Sequence, residues 1–287
     1  MRLAIEELVA SKPTPEKISA FLGAHKFPLI EGVSCTFVFR GEADAVNVRH
    51  WVYGLEASNI CTRVPGTDLW YLVLEIPRRS RVEYKLEVSA NNVGRWIEDP
   101  LNPNRARDPF GANSVVHGEG YVVPEWTAPD PDARPGTLDP WTIKSKAFND
   151  ARSFNVYLPA RYRKTRRYPL IWVHDGPDYV RFANLKTVLD NLIHRLEIPD
   201  VIAVFTDSPD RLREYAADAG HARYITEELL PDIARRYPLH DNAQSRCLMG
   251  ASFGGVASLS TACLARAQWA YSTSSQCGHC SRLSAST

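Results

Sequence analysis

The chain has 287 residues, enough for two ordinary domains with real cores, and its 44% apolar and 23% charged residues match a folded globular protein. Its formal net charge is +1, so no overall field draws it toward nucleic acid or an anionic membrane, and a small-molecule partner is expected. Glu6 and Glu7 stand where a secretory signal has its apolar run, and no segment approaches the ~20 apolar residues that span a bilayer, so a cytoplasmic location is expected.

Ile5, Leu8, Val9, Ile18, Phe21 and Leu22 carry a helical period over residues 4–24, interrupted at Pro13 and restarted by Thr14-Pro15. From Val33 the pattern shortens to β-type runs at 35–40, 45–49, 69–76 and 82–88, with turn signals at Gly41, Pro65-Gly66-Thr67-Asp68 and Asn91-Asn92. Short strands at this spacing predict a β-sandwich. Trp51, Tyr53, Trp70, Tyr71 and Trp96 offer either a stacking face for a ligand or ordinary sheet packing, and packing is expected. The stretch from Pro124 to Gly136, rich in proline and acid, reads as a linker.

Strands at 154–159, 170–173, 201–205 and 246–249 then alternate with helices at 185–196 and 221–237. Apolar strands alternating with amphipathic helices predict a mostly parallel sheet covered on both faces. The basic run Arg161 to Arg167 reads as a solvated, hairpin-like connection rather than a nucleic-acid patch.

The chemistry concentrates at Gly250-Ala251-Ser252-Phe253-Gly254, which follows one of these strands and precedes a helix-compatible segment. Serine hydrolases place their nucleophile on such a strand-to-helix turn, where close backbone contacts demand small residues on either side. Ser252 is the candidate nucleophile, and the Phe253 N–H is one candidate oxyanion donor. The second donor is expected from the loop after an earlier strand, Val173-His174-Asp175-Gly176-Pro177-Asp178-Tyr179. Pro177 has no N–H, which leaves Gly176 or Asp178. His174 and Asp175 either contact substrate or only order this loop. In the polar cluster from Asp210 to Tyr215, Arg211 either holds a polar or anionic substrate group or belongs to a surface salt-bridge cluster.

Asn155-Val156-Tyr157-Leu158-Pro159, His174-Asp175-Gly176, Arg211-x-x-Glu214-Tyr215 and Gly250-Ala251-Ser252-Phe253-Gly254-Gly255 stand in an order that resembles the enterochelin (ferric-siderophore) esterase group, related to esterase D. Trp96-Ile97-Glu98-Asp99-Pro100-Leu101-Asn102-Pro103 and Pro109-Phe110-Gly111-x-Asn113-Ser114 are similar to the immunoglobulin-like domain that precedes such esterases. The resemblance covers residues 30–265 and implies an α/β fold, an α/β-hydrolase domain behind an immunoglobulin-like sandwich. It implies a carboxylic-ester substrate, siderophore-like or not, an acyl-enzyme on Ser252, and His174, Asp175, Arg211, Glu214 and Tyr215 as the substrate side of the site. The expected layout is a helical segment at 1–30, the sandwich at 31–123, a linker at 124–140, a partial hydrolase domain at 141–266 and an aberrant, disordered tail at 267–287.

Such folds supply an acid and then a histidine after the serine. No Asp or Glu occurs beyond Ser252 here, and His279 is the only later histidine. A C-terminally truncated or frame-shifted hydrolase is therefore expected, with impaired activity, or alternatively an inactive fragment or binding module. An incomplete sheet leaves an unpaired edge, so association through that edge is expected. Cysteines at 35, 61, 247, 263, 277 and 280 are too scattered for a disulfide scaffold, and most are expected to be reduced. Cys277-Gly278-His279-Cys280 lacks a second ligand cluster, so no metal and no cofactor are expected.

Overall fold

The helical period at the N-terminus forms two helices, α1 (Ala4–Ala10) and α2 (Pro15–Ala24). Thr14 caps α2 by accepting the Lys17 N–H on its hydroxyl, and Pro15 fills a first-turn position that needs no donor. The structure, a computed structural model, describes residues 2–50, 58–91 and 93–269. It divides into two units, Met1–Val123 and Pro124–Thr287.

The first unit contains β1 (Leu29–Glu31), β2 (Ser34–Arg40), β3 (Ala45–His50), β4 (Ser58–Ile60), β5 (Thr62–Arg63), β6 (Leu69–Glu75), β7 (Arg81–Ala90), β8 (Val93–Ile97), β9 (Arg105–Asp108) and β10 (Gly111–His117). One sheet runs β1-β2-β6-β5 and the other β4-β3-β7-β10-β9, with β8 also on β7, all antiparallel. Phe37 and Trp70 from the first sheet meet Val46, Val48, Tyr84 and Leu86 from the second in one core. The outer face of the first sheet is covered by α1 and α2, whose Ile5, Ile18 and Phe21 pack with Val38 and Leu69. The first thirty residues are thus part of this unit's core rather than a separate preface.

Strand alternation separates the aromatics into different layers. Trp70 lies in the core between the sheets, Tyr71 faces the helices, and Trp96 is exposed under the Arg49 guanidinium. These three rings do not share one face; Trp51 and Tyr53 lie outside the described residues. Asp99, from the motif at 96–103, is buried and accepts from Tyr84 Oη at 2.5 Å and from the Leu101 N–H. Burial pushes its carboxyl above the usual range. This motif is accounted for by a buried polar corner that fastens the chain between β8 and β9.

In the second unit the strands are β11 (Thr137–Lys144), β12 (Ala151–Leu158), β13 (Leu170–Val173), β14 (Ile202–Thr206) and β15 (Arg246–Met249), in the order β11-β12-β14-β13-β15. The β11–β12 and β12–β14 pairs are antiparallel and the β14–β13 and β13–β15 pairs parallel, so among the described residues the sheet is mixed rather than mostly parallel. The expected linker is shorter than 124–140, because β11 begins at Thr137. Pro140 hid that strand, yet among the described residues β11 is an edge strand and has no outer neighbour to need a donor. The part before it is strapped down: Asn191 donates to the Trp126 and Ala128 carbonyls, and the Gly136 N–H donates to Asp190. The basic run joins β12 to β13 across β14, so it is not a hairpin.

Helices α3 (Gly176–Phe182), α4 (Leu185–His194), α5 (Arg211–Glu214), α6 (Ala219–Arg223), a π-helical stretch at Tyr224–Leu229, α7 (Leu230–Arg236) and α8 (Phe253–Leu264) complete the unit. Leu170, Trp172, Ile202 and Val204 point into one core with Ile225, Leu229 and Ile233, while Val173, Ala203 and Phe205 point into the other with Leu189. Both faces are covered, which is why these strands read as continuous apolar runs. Cys35, Cys61 and Cys247 are free thiols, whereas Cys263 is disulfide-bonded, so the expected reduced state does not extend to it. Among the described residues no helix is long and apolar enough to cross a membrane.

Candidate active site

Val173 is in register with both Phe205 and Met249, so the loops that leave β13 and β15, and the one that follows β14, emerge together at the carboxyl edge of the parallel strands. In open α/β sheets that edge is where ligand sites form. The loops begin at His174, Asp207 and Gly250.

Ser252 closes the third of them, exposed, with φ 53° and ψ −123°. A non-glycine residue in this sparsely populated region costs about 1–3 kcal/mol and persists only where its surroundings enforce it. The enforcement here is steric. A Cβ on Gly250 would lie 2.2 Å from the Gly254 carbonyl oxygen, and one on Gly254 would lie 2.7 Å from Asp175 Oδ2. Since the first clash is with backbone, Gly250→Ala is expected to cost at least about 1–3 kcal/mol. A thermal melt checks this, and an unchanged midpoint would contradict the steric account. The turn is closed by the Gly254 N–H on the Ala251 carbonyl at 2.8 Å, and the Phe253 N–H falls at the first position of α8, where a helix has no internal use for it.

The loop after β13 turns at Asp175, whose φ is 55°. Its carboxylate receives two parallel bonds from Arg211, Nε to Oδ1 at 2.8 Å and Nη2 to Oδ2 at 2.9 Å, a fork that fixes both groups. Arg211 also lies over the Phe253 ring and is raised further above its ordinary range by those bonds. Its principal partner in this structure is therefore Asp175, a salt bridge between the two loops. The Asp178 N–H donates to the Asp175 carbonyl at 3.0 Å, so Asp178 is not an available oxyanion donor. With Pro177 lacking an N–H, Gly176 remains. Gly176 is packed so tightly that a Cβ would lie 2.4 Å from Phe205 Cβ.

His174, Glu214 and Tyr215 are brought to this site but enclosed beneath it, with 0%, 1% and 0% exposure, so none of them is a substrate contact in this structure. Glu214 takes a bidentate pair from Arg152 at 2.8 Å and a bond from Ser208 Oγ at 2.6 Å. Burial alone would raise its carboxyl; the Arg152 and Ser208 bonds outweigh that and hold it below the usual range. Tyr215 accepts the Asp175 N–H on its hydroxyl. His174 places Nδ1 2.9 Å from Ser258 Oγ and Nε2 3.1 Å from His221 Nε2. Burial drives His174 down to about 3, with His221 adding to the effect, and burial drives His221 down to about 4, so both are neutral at pH 7.

Arg152, Ser208 and Ser258 are the residues that sequence reasoning missed, and His221, on a predicted helix, reads from sequence as a surface or packing residue. Arg152 alone left a trace, a charged residue in phase with the inward-facing Phe154 and Val156. Among the described residues no group of His, Cys, Asp or Glu could hold a metal ion. The Cys277-Gly278-His279-Cys280 cluster lies outside them.

The esterase family model, described as "Putative esterase", matches residues 145–284. Residues 145–284 are thus similar to the esterase family, and the relatives of the chain include an enterobactin esterase. The match runs past Arg266, the last residue assigned to the hydrolase domain from sequence. The chain is 26% identical over 233 residues to the iron(III) enterobactin esterase of Dickeya dadantii, covering 69% of this chain and 52% of that one. It is 30% identical over 134 residues to the uncharacterized protein YjcH of Bacillus subtilis, covering 44% of this chain and 56% of that one. It thus spans about half the length of these curated relatives. The crystal structure of enterochelin esterase from Shigella flexneri shares the fold, with a TM-score of 0.65, 20% identity, and coverage of 87% of this chain and 73% of that one.

Proposed function

We propose that the chain is a serine hydrolase of the α/β-hydrolase fold, preceded by an immunoglobulin-like domain, that acts on carboxylic esters through an acyl-enzyme on Ser252. The observation that carries this reading is the strained Ser252 turn, enforced by Gly250 and Gly254 at the carboxyl edge of the sheet. In this reading the Ser252 hydroxyl attacks the ester carbonyl, the Phe253 and Gly176 N–H groups bind the oxyanion, and the Asp175–Arg211 fork holds the two loops in place. The relatives named enterobactin esterase suggest a siderophore-like ester as substrate.

A second reading is that these 287 residues carry the nucleophile without its base. It rests on the absence of any Asp or Glu beyond Ser252 and on His174 and His221 being buried and occupied with other partners. Loss of the base costs on the order of 10⁴-fold or more in turnover. Hydrolysis of a short-chain p-nitrophenyl ester is therefore expected at least about 10⁴-fold below the ~10 per second of ordinary enzymes, and prolonged exposure to a fluorophosphonate probe should label Ser252 slowly. Labelling that persists in Ser252→Ala would remove Ser252 from the mechanism. Ordinary turnover would instead overturn the second reading.

A further inference from the structure

The hydrogen bonds beneath the nucleophile have a fixed direction. Ser258 Oγ is 2.9 Å from the Gly254 carbonyl oxygen and 2.9 Å from His174 Nδ1. The hydroxyl has one proton, and a carbonyl can only accept. If that proton went to His174, two oxygen lone pairs would face each other at 2.9 Å. It therefore goes to Gly254, and His174 donates Nδ1–H to Ser258. His174 Nε2 then carries no proton, so the 3.1 Å contact with His221 Nε2 requires His221 to be the donor. The chain of donors ends at His221 Nδ1, a buried acceptor without a partner among the described residues.

This chain spans the two elements that carry the proposed oxyanion donors. His174 stands two residues before Gly176, and Ser258 is on α8 with Phe253. We propose, on the basis of the Ser252 reading, that His221 is a positioning residue for the oxyanion hole. By donating Nε2–H to His174 it locks the tautomer whose Nδ1–H ties the Gly176 loop to α8. With His221 Nε2–H removed, the tautomer rests on the Ser258–Gly254 bond alone, and a His174 proton on Nε2 is no longer opposed by a second donor, which loosens the Nδ1–H tie to Ser258. Tyr215, edge-on to both rings with centroids 5.2 and 5.0 Å away, holds the imidazoles but has no part in the proton order.

The test is nitrogen-15 NMR of the imidazoles in the full chain, joined to amide exchange at Gly176 and to the rate of fluorophosphonate labelling. At neutral pH His174 is expected to be protonated on Nδ1 only and His221 on Nε2 only. His221→Phe should speed exchange at Gly176 and slow labelling about tenfold or more, short of the 10²–10³ that loss of a whole oxyanion donor costs. His221→Gln, whose amide nitrogen replaces Nε2–H, should restore both. Ser258→Ala cuts the same tie from the other element and should reproduce the His221→Phe changes, which keeps the test intact if the aromatic variant does not fold. His174 protonated on Nε2 in the wild type, or variants with unchanged exchange and labelling, would overturn the proposal. A wild-type chain that never labels overturns the Ser252 reading instead, and the nitrogen pattern and Gly176 exchange then decide the tautomer lock separately.

Discussion

Between about pH 6.5 and pH 4 the C-terminal unit is expected to lose about 1.4 kcal/mol per pH unit for each of two histidines, His174 and His221. The sign follows from their depressed native values. Both titrate from an ordinary 6.5 when unfolded but only near 3 and near 4 when folded, so below 6.5 the unfolded state binds protons that the native state excludes. The stability they contribute is complete above pH 6.5. It is lost from both down to about pH 4, and from His174 alone below that. Over the shared window the loss sums to about 5–7 kcal/mol, comparable with the whole stability of many domains. Above pH 5 ordinary carboxylates are ionised in both states and contribute little slope. Asp99, whose carboxyl is raised by burial, titrates with the opposite sign but belongs to the other unit. Urea unfolding at about pH 7 and about pH 5, followed through amide exchange of β14 corrected for its intrinsic rate, measures the effect. His221→Gln should halve the slope. A stability independent of pH in this window would mean that the two rings are not buried as a neutral pair.

Glu214→Ala is expected to destabilise the same unit by about 3–5 kcal/mol, because it leaves both terminal nitrogens of the buried Arg152 guanidinium without their carboxylate. Arg152 is 4% exposed and its remaining acidic partner, Asp150, accepts only Nε. The consequence reaches the site, since Glu214 anchors α5 and α5 carries Arg211, which in turn holds Asp175. Ser252 labelling should therefore fall with the stability. Replacing both partners, Arg152→Met with Glu214→Leu, should recover most of the stability, because a buried pair exchanged for apolar volume leaves no orphan charge. Urea midpoints of the two single variants and the double variant give the coupling. A single-variant cost below about 1 kcal/mol would show that water reaches Arg152 and that the pair is not the anchor.

The features that sequence located well are those enforced within a few residues. β13 and β15 keep their expected bounds, Leu170–Val173 and Arg246–Met249, because each is a short apolar-rich run ended by a locally enforced turn, at Asp175 and at Gly250. The Thr14 cap and the glycine turn around Ser252 are likewise local, set by one hydrogen bond and two steric demands. β11 was lost to Pro140, a residue whose meaning in a strand depends on whether a neighbour exists on its outer side, and that is a property of the assembled sheet.

For the site, sequence by itself located the Ser252 turn, the head of α8 at Phe253, and the loop from His174 to Asp178 beside them. Tertiary structure decided what each companion does. His174 and Glu214 read equally well as substrate contacts or as packing until their partners are known. Those partners lie far away in the chain: Ser258 and His221 are 84 and 47 residues from His174, and Arg152 is 62 residues from Glu214. The physical reason is that a short glycine turn is a local steric requirement, whereas the protonation and orientation of a polar side chain depend on who desolvates it and who bonds to it. Those neighbours are supplied only by the folded sheet and the helices packed against it.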